Sequence, residues 1–144
     1  MPSVSRTRTM AAPPDVVWRV VSDPYHLPRW WPRVERIENA DGERFTELLR
    51  TAKGHAVRAD FRRAGAEDGV KVAWEQITEG TPFERLLQFA RTEVALAPVG
   101  EGTEVRLTLE QKLRGWSRMG PFFFSRAGRR TLDEALDGLE RACG

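Results

Sequence analysis

The chain is poor in the residue types that carry most covalent and metal chemistry. Its 144 residues include one cysteine, Cys143, two histidines, His26 and His55, and one tyrosine, Tyr25. A single thiol excludes an intrachain disulfide and fits a reducing compartment, the cytoplasm. Neither Cys-x-x-Cys nor His-Glu-x-x-His spacing occurs, and no Gly-rich phosphate loop or serine elbow is present, so neither a metal nor a cofactor is expected. Long apolar runs are missing too: nothing approaches the roughly 18 residues that cross a bilayer. The segment from Met1 to Met10 is polar, with Arg6 and Arg8, and lacks the apolar stretch of a secretion signal. The net charge of +2 is too slight to point to nucleic acid, although the pI is about 9.1. The expectation is one cytoplasmic domain over 1–144, without membrane insertion, as a monomer or homodimer.

What is present is strongly patterned. Met10-Ala-Ala-Pro-Pro-Asp-Val-Val-Trp-Arg-Val-Val-Ser-Asp-Pro-Tyr-His-Leu-Pro-Arg-Trp-Trp-Pro32 reads as the end of a strand, a short helix, a break and a second short helix. Pro13 and Pro14 suit a helix start, where a missing N–H costs nothing, and Asp15 suits the positive end of the helix dipole. Val16, Val17, Trp18, Val20 and Val21 fill one arc of that helix; Asp15, Arg19 and Ser22 fill the other. After Pro32, turn chemistry recurs at Asp41-Gly42, Lys53-Gly54, Glu67-Asp68-Gly69, Glu79-Gly80-Thr81-Pro82 and Gly100-Glu101-Gly102. Between the turns, apolar and polar residues alternate, as in Val57, Ala59, Phe61 against Arg58, Asp60, Arg62, and in Val105, Leu107, Leu109 against Glu104, Arg106, Thr108. Period two with one apolar face predicts antiparallel hairpins covered on one side. The cover is the C-terminal segment, an amphipathic helix of about five turns starting near Phe124. Its apolar face carries Ala127, Gly128, Thr131, Leu132, Ala135, Leu136, Leu139, Ala142 and Cys143. Phe122 and Phe123 fall off that face and are expected to precede the helix.

The Ala-Pro-Pro-x-x-Val-Trp opening (residues 12–18), the Asp23-Pro24 turn and the Leu27-Pro-x-Trp-Trp-Pro32 close resemble the N-terminal signature of the START and polyketide-cyclase (SRPBCC) superfamily. These are the helix-grip proteins that include the birch pollen allergen, and the chain looks closest to the polyketide cyclase/dehydrase branch. The resemblance covers the whole chain. It implies an α+β helix-grip fold: a curved antiparallel sheet of about seven strands wrapped around a long C-terminal helix, with two short helices after strand one. The order of elements read above agrees.

In such a fold the space between sheet and helix is either packed or hollow. Gly128, mid-helix, costs up to about 1 kcal/mol against alanine, and either close helix-on-sheet packing or an approaching ligand would compensate it. The resemblance implies a hydrophobic ligand such as a lipid, polyketide or isoprenoid. The expected ligand-binding residues are Trp31, Val57, Phe61, Val72, Trp74, Gln76, Thr92, Val94, Leu107, Leu109, Phe124, Gly128 and Thr131, around a cavity of a few hundred cubic ångström. Candidates for proton transfer are few: His55 at a turn, and Gln76 and Gln111 on the inward face. Trp30 and Trp31 are adjacent and cannot both point the same way, so one is expected under the sheet and one at the pocket entrance, beside a gate at Phe122 to Phe124. Between Glu110 and Asp133 no acid occurs, while Lys112, Arg114, Arg118, Arg126, Arg129 and Arg130 do. Arg126, Arg129 and Arg130 share the solvent face. They are either a solvated stripe held by Arg129–Asp133 and Arg130–Glu134 pairs or a docking patch for an acidic carrier protein.

Three functions follow: a carrier or sequestering protein for a small hydrophobic molecule; a polyketide cyclase, aromatase or dehydratase acting on a carrier-bound chain; or an interaction module like the chaperone-ATPase activators, whose Trp-Trp-Gly-Pro ending is close to Trp30-Trp31-Pro32.

Overall fold

Pro13, with extended backbone, caps the first helix, and Pro14 occupies its first position, so α1 (Pro14–Val21) starts where the missing proline N–H groups cost nothing. Asp15 lies in its first turn and pairs with Arg19 at 3.0 Å. Val17, Val20 and Val21 turn to the core, and Trp18 packs half-buried beside them. The Asp23 carboxylate accepts the Tyr25 N–H at 3.0 Å, capping a single tight turn that leads into α2 (Leu27–Trp30).

A computed structural model describes residues 3–51, 53–85, 87–113 and 120–144. Seven strands, β1 (Ser3–Met10), β2 (Val34–Glu38), β3 (Arg44–Arg50), β4 (Ala56–Glu67), β5 (Lys71–Ile77), β6 (Leu87–Val99) and β7 (Gly102–Leu113), form one antiparallel sheet in the order β1-β7-β6-β5-β4-β3-β2. Successive strands are neighbours except that β1 closes on β7, from Ser3 opposite Glu110 to Met10 opposite Thr103. The turn glycines Gly42, Gly54, Gly69, Gly80 and Gly100 have φ between 57° and 92°, the region that a side chain disfavours. The last helix, α3 (Gly120–Cys143), crosses the concave face.

The core lies between sheet and α3. Leu132, Ala135, Leu136 and Leu139 of α3 are fully buried against Val72, Val94, Val105 and Leu107 of the sheet. On one flank, Arg6 and Arg8 of β1 reach α3: Arg6 to Asp133 at 3.3 Å, Arg8 to Asp137 at 2.7 Å and to Glu140 at 2.8 Å. Such exposed pairs contribute little stability, but they fix where α3 lies along β1. On the other flank α2 packs on α3 through Gly138. A Cβ at Gly138 would stand 2.9 Å from Trp30 Cα and closer still to the Trp30 carbonyl oxygen. The Arg29 guanidinium donates to the Ala142 carbonyl at 3.1 Å, satisfying one of the acceptors that a helix C-terminus leaves open.

Two expectations about α3 are corrected. The helix begins at Gly120, with Pro121 in its first turn, so Phe122 and Phe123 belong to it; their side chains and that of Phe124, and with them the proposed gate, lie outside the described residues. Ala127 is exposed rather than turned to the sheet.

Candidate functional site

The inner face of the sheet is not filled to its end. Antiparallel register places Phe45 opposite Phe61, Phe61 opposite Gln76, and Ala90 opposite Gln111. Carrying the β5–β6 register one step beyond Glu75 opposite Arg91 brings Gln76 beside Ala90. Five strands thus present one row, Phe45, Phe61, Gln76, Ala90, Gln111. Its two glutamines flank a methyl group, about 10 Å apart at the backbone. Above this row is a cavity of about 240 Å³, lined also by Leu27, Trp31, Glu47, Leu49, Trp74, Thr92, Leu109 and Thr131. Small side chains at Ala90 and Thr131 leave the space.

The walls are aromatic. Phe45 and Phe61 stack with centroids 5.3 Å apart and planes at 6°, and Trp74 meets Phe45 edge-on at 6.1 Å. Trp30 and Trp31 divide as their adjacency requires: Trp30 is buried under α3, Trp31 lines the cavity, and their rings lie edge to face at 5.4 Å.

Into this apolar enclosure the sheet turns polar groups. Glu47 is 7% exposed, and burial pushes its carboxyl up to about 8. Desolvation penalises the charged form, and among the described lining residues none is cationic. Near neutral pH the carboxyl is therefore protonated and both donates and accepts hydrogen bonds. The Gln76 Nε2 is buried with no hydrogen-bond partner, an expensive state for an amide. Thr92, Gln111 and Thr131 complete the polar lining.

Of the residues singled out from sequence, Trp31, Phe61, Trp74, Gln76, Thr92, Leu109, Gln111 and Thr131 meet at this cavity. Val72, Val94 and Leu107 share its face but are fully buried farther along the strands, where the leucines of α3 pack. Alternation gives a side chain's face, not how far along the strand the helix fills the groove. Val57, half-buried at the start of β4, lines an outer groove with Leu48 and Phe83 instead. Gly128 is buried on α3 and is not among the described residues that line the cavity; a close backbone approach is found at Gly138. His55 is exposed in the β3–β4 turn, its N–H donating to Thr51 Oγ1 at 3.1 Å, and is no part of the cavity. Leu27, Phe45, Glu47, Leu49 and Ala90 were not anticipated. The Phe45-x-Glu47-x-Leu49 alternation is the signal that places Glu47 inward.

Arg126, Arg129 and Arg130 are all exposed or partly exposed. Arg126 and Arg130 line a surface groove of about 490 Å³ with Pro32, Arg33 and Glu134, and Thr131 is shared between this groove and the cavity. Arg130 pairs with Glu134 at 3.5 Å, as its spacing predicts. Asp133 turns to Arg6 of β1 rather than to Arg129. Arg114 and Arg118 of the same basic stretch lie outside the described residues.

Among the described residues no helix is long and apolar enough to cross a membrane. No curated protein sequence is similar to the chain. Among solved structures it is similar to a START superfamily protein from Mycobacterium smegmatis, with 16% identity, TM-score 0.76 and coverage of 96% of this chain and 94% of that one. It is also similar to a protein from Thermus thermophilus, with 24% identity, TM-score 0.72 and coverage of 99% and 97%. A third likeness is to the di-domain ARO/CYC protein BexL of the BE-7585A biosynthetic pathway, with 21% identity, TM-score 0.80 and coverage of 99% of this chain but 46% of that one. At these identities the likeness shows a shared helix-grip fold. The sequence itself matches the family model described as polyketide cyclase/dehydrase and lipid transport over residues 1–144, so the helix-grip architecture, the hollow between sheet and α3 and the opening proline–tryptophan pattern come together in one assignment: the chain belongs to that family.

Proposed function

We propose that the protein binds a small, mostly apolar molecule between the sheet and α3, as a carrier or sequestering protein. The observation that supports this best is the cavity of about 240 Å³ with aromatic walls and a few inward polar groups, the combination typical of small-molecule sites. A module working only through its surface has no need to keep Gln76 unpartnered beside empty space. Native mass spectrometry of the purified protein, compared with its denatured mass, is expected to show a co-purified apolar compound. Because Trp31 and Trp74 line the cavity, tryptophan fluorescence is expected to change when that compound is stripped and added back. Fluorescence and mass that are the same before and after stripping would refute the reading.

A second reading, cyclisation or dehydration of a carrier-bound chain, is favoured by one further feature. The arginine-lined groove shares Thr131 with the cavity, so an acidic carrier docked there stands at the place where its tethered chain would enter. Orientation in a shaped cavity supplies much of the rate in such reactions, and Glu47, Gln76 and Gln111 are among the polar groups that line the cavity.

A further inference from the structure

We infer that Glu47 and Gln76 together form a hydrogen-bonding clamp for a neutral oxygen, a ketone or similar carbonyl, on the bound molecule, and that this clamp excludes carboxylates from the cavity. The inference rests on the cavity reading above and adds to it the functional group recognised.

Three alternatives for the polar end of a ligand can be weighed against the groups present. Among the described residues a carboxylate would meet no cation: the lining residues supplied by α2, β3, β4, β5, β6, β7 and α3 include no lysine, arginine or histidine. Opposite Glu47 across the strands stand Ile37 of β2 and Ala59 of β4, both buried and uncharged. Arg58 and Glu38, paired at 2.6 Å, flank these positions and are partly solvent-exposed. Arg33, Arg126, Arg130 and Glu134 belong to the neighbouring groove, which among the described residues shares Thr131 alone with the cavity. An anion buried here would lose its hydration without compensation. An ammonium group would pair with an ionised Glu47, but it offers no acceptor to the buried Gln76 Nε2. A carbonyl oxygen has two lone pairs and can accept from both the protonated Glu47 carboxyl and the Gln76 amide. The stacked Phe45 and Phe61, which neighbour Glu47 and Gln76 respectively in the sheet, give the apolar part of such a molecule a flat wall.

The direction of the pH effect follows. Burial raises the Glu47 carboxyl to about 8; below that it donates to a carbonyl, and above it the carboxylate repels one. Carbonyl binding is therefore strong in the acidic and neutral range and falls as pH rises through the Glu47 titration.

The test uses four naphthalenes that differ in one substituent: methyl naphthyl ketone, ethylnaphthalene, naphthoate and naphthylmethylamine. Binding to the full chain is followed by Trp fluorescence at about pH 6 and about pH 9.5, on either side of that titration. The ketone is expected to bind about tenfold more tightly than ethylnaphthalene at the lower pH, the worth of one to two net hydrogen bonds, and to lose this advantage at the higher one. Naphthoate should not bind measurably. In Glu47→Gln, which keeps a donor but cannot ionise, the ketone advantage is expected at both pH values; in Glu47→Leu it is expected at neither. Equal affinity for ketone and ethylnaphthalene, or preference for naphthoate or the amine, would overturn the clamp while leaving the cavity reading intact. Failure of every naphthalene to bind would remove both.

Discussion

At the scale of single residues, Glu47 carries an energetic cost that the fold tolerates. In an unfolded chain its carboxyl ionises near 4.5, whereas burial moves it to about 8. Because the folded pKa is the higher one, folding takes up a proton between those values. The contribution of Glu47 to stability is fully present below the unfolded pKa and is lost as pH rises through the folded one. Glu47→Gln removes the titration and keeps the shape, so the variant is expected to gain on the parent chain as pH rises, by roughly 3 to 4 kcal/mol between about pH 5 and about pH 8. Urea unfolding of the ligand-free protein at the two pH values measures the difference; parallel stabilities would mean that water reaches the carboxyl. This residue was also the least legible part of the site in the sequence. In Arg44-Phe-Thr-Glu-Leu-Leu-Arg50 the consecutive Leu48 and Leu49 blur the two-residue period, and a glutamate is ordinarily assigned to the wet face. The weaker alternation Phe45-x-Glu47-x-Leu49 is there beneath it, and the structure turns all three inward together.

At the scale of elements, the cavity depends on how α2 is held. α2 contributes Leu27 and positions Trp31, and its anchor is the bare backbone of Gly138 in α3. Alanine at 138 has the better helix propensity, by up to about 1 kcal/mol. The new methyl would nonetheless collide with the backbone of Trp30, which cannot swing aside as a side chain can. The collision outweighs the propensity gain, as overpacking usually costs about 1–3 kcal/mol. Gly138→Ala is therefore expected to lower the unfolding free energy by about 1–2 kcal/mol and to weaken ligand binding by displacing Trp31; urea unfolding and fluorescence titration test the two effects. A more stable variant with unchanged binding would show that α2 can shift freely. The sequence made each element legible through its own signals, with Pro14 at a helix start and glycines at the turns. It did not single out Gly138, because which helical glycine meets another backbone depends on the crossing of α2 over α3, a tertiary property.

At the scale of the whole molecule, one segment joins two surfaces. Within α3, Thr131 borders the cavity, while its neighbours Arg126 and Arg130 border the groove outside. The fold was legible at this scale because the opening motif and the order of elements agree independently, and strand alternation identified the concave face. The floor of the cavity was harder to foresee. Where the sheet curls away from α3 is set by summed twist and by side-chain volumes at Ala90 and Thr131, not by any local pattern. The arginines offer the remaining test. Replacing Arg126, Arg129 and Arg130 together by glutamate alters only side chains at the surface and removes one exposed pair, Arg130–Glu134, so the unfolding free energy is expected to change by less than about 1 kcal/mol. Binding of apolar ligands in the cavity should persist. Association with an acidic carrier protein, measured at low salt where charge attraction is least screened, should disappear, because three attractive charges become three repulsive ones at the groove. Carrier binding that survives the reversal, or never occurs with the parent chain, would reduce this face to a solvated stripe and leave the cavity to take its ligand from free solution.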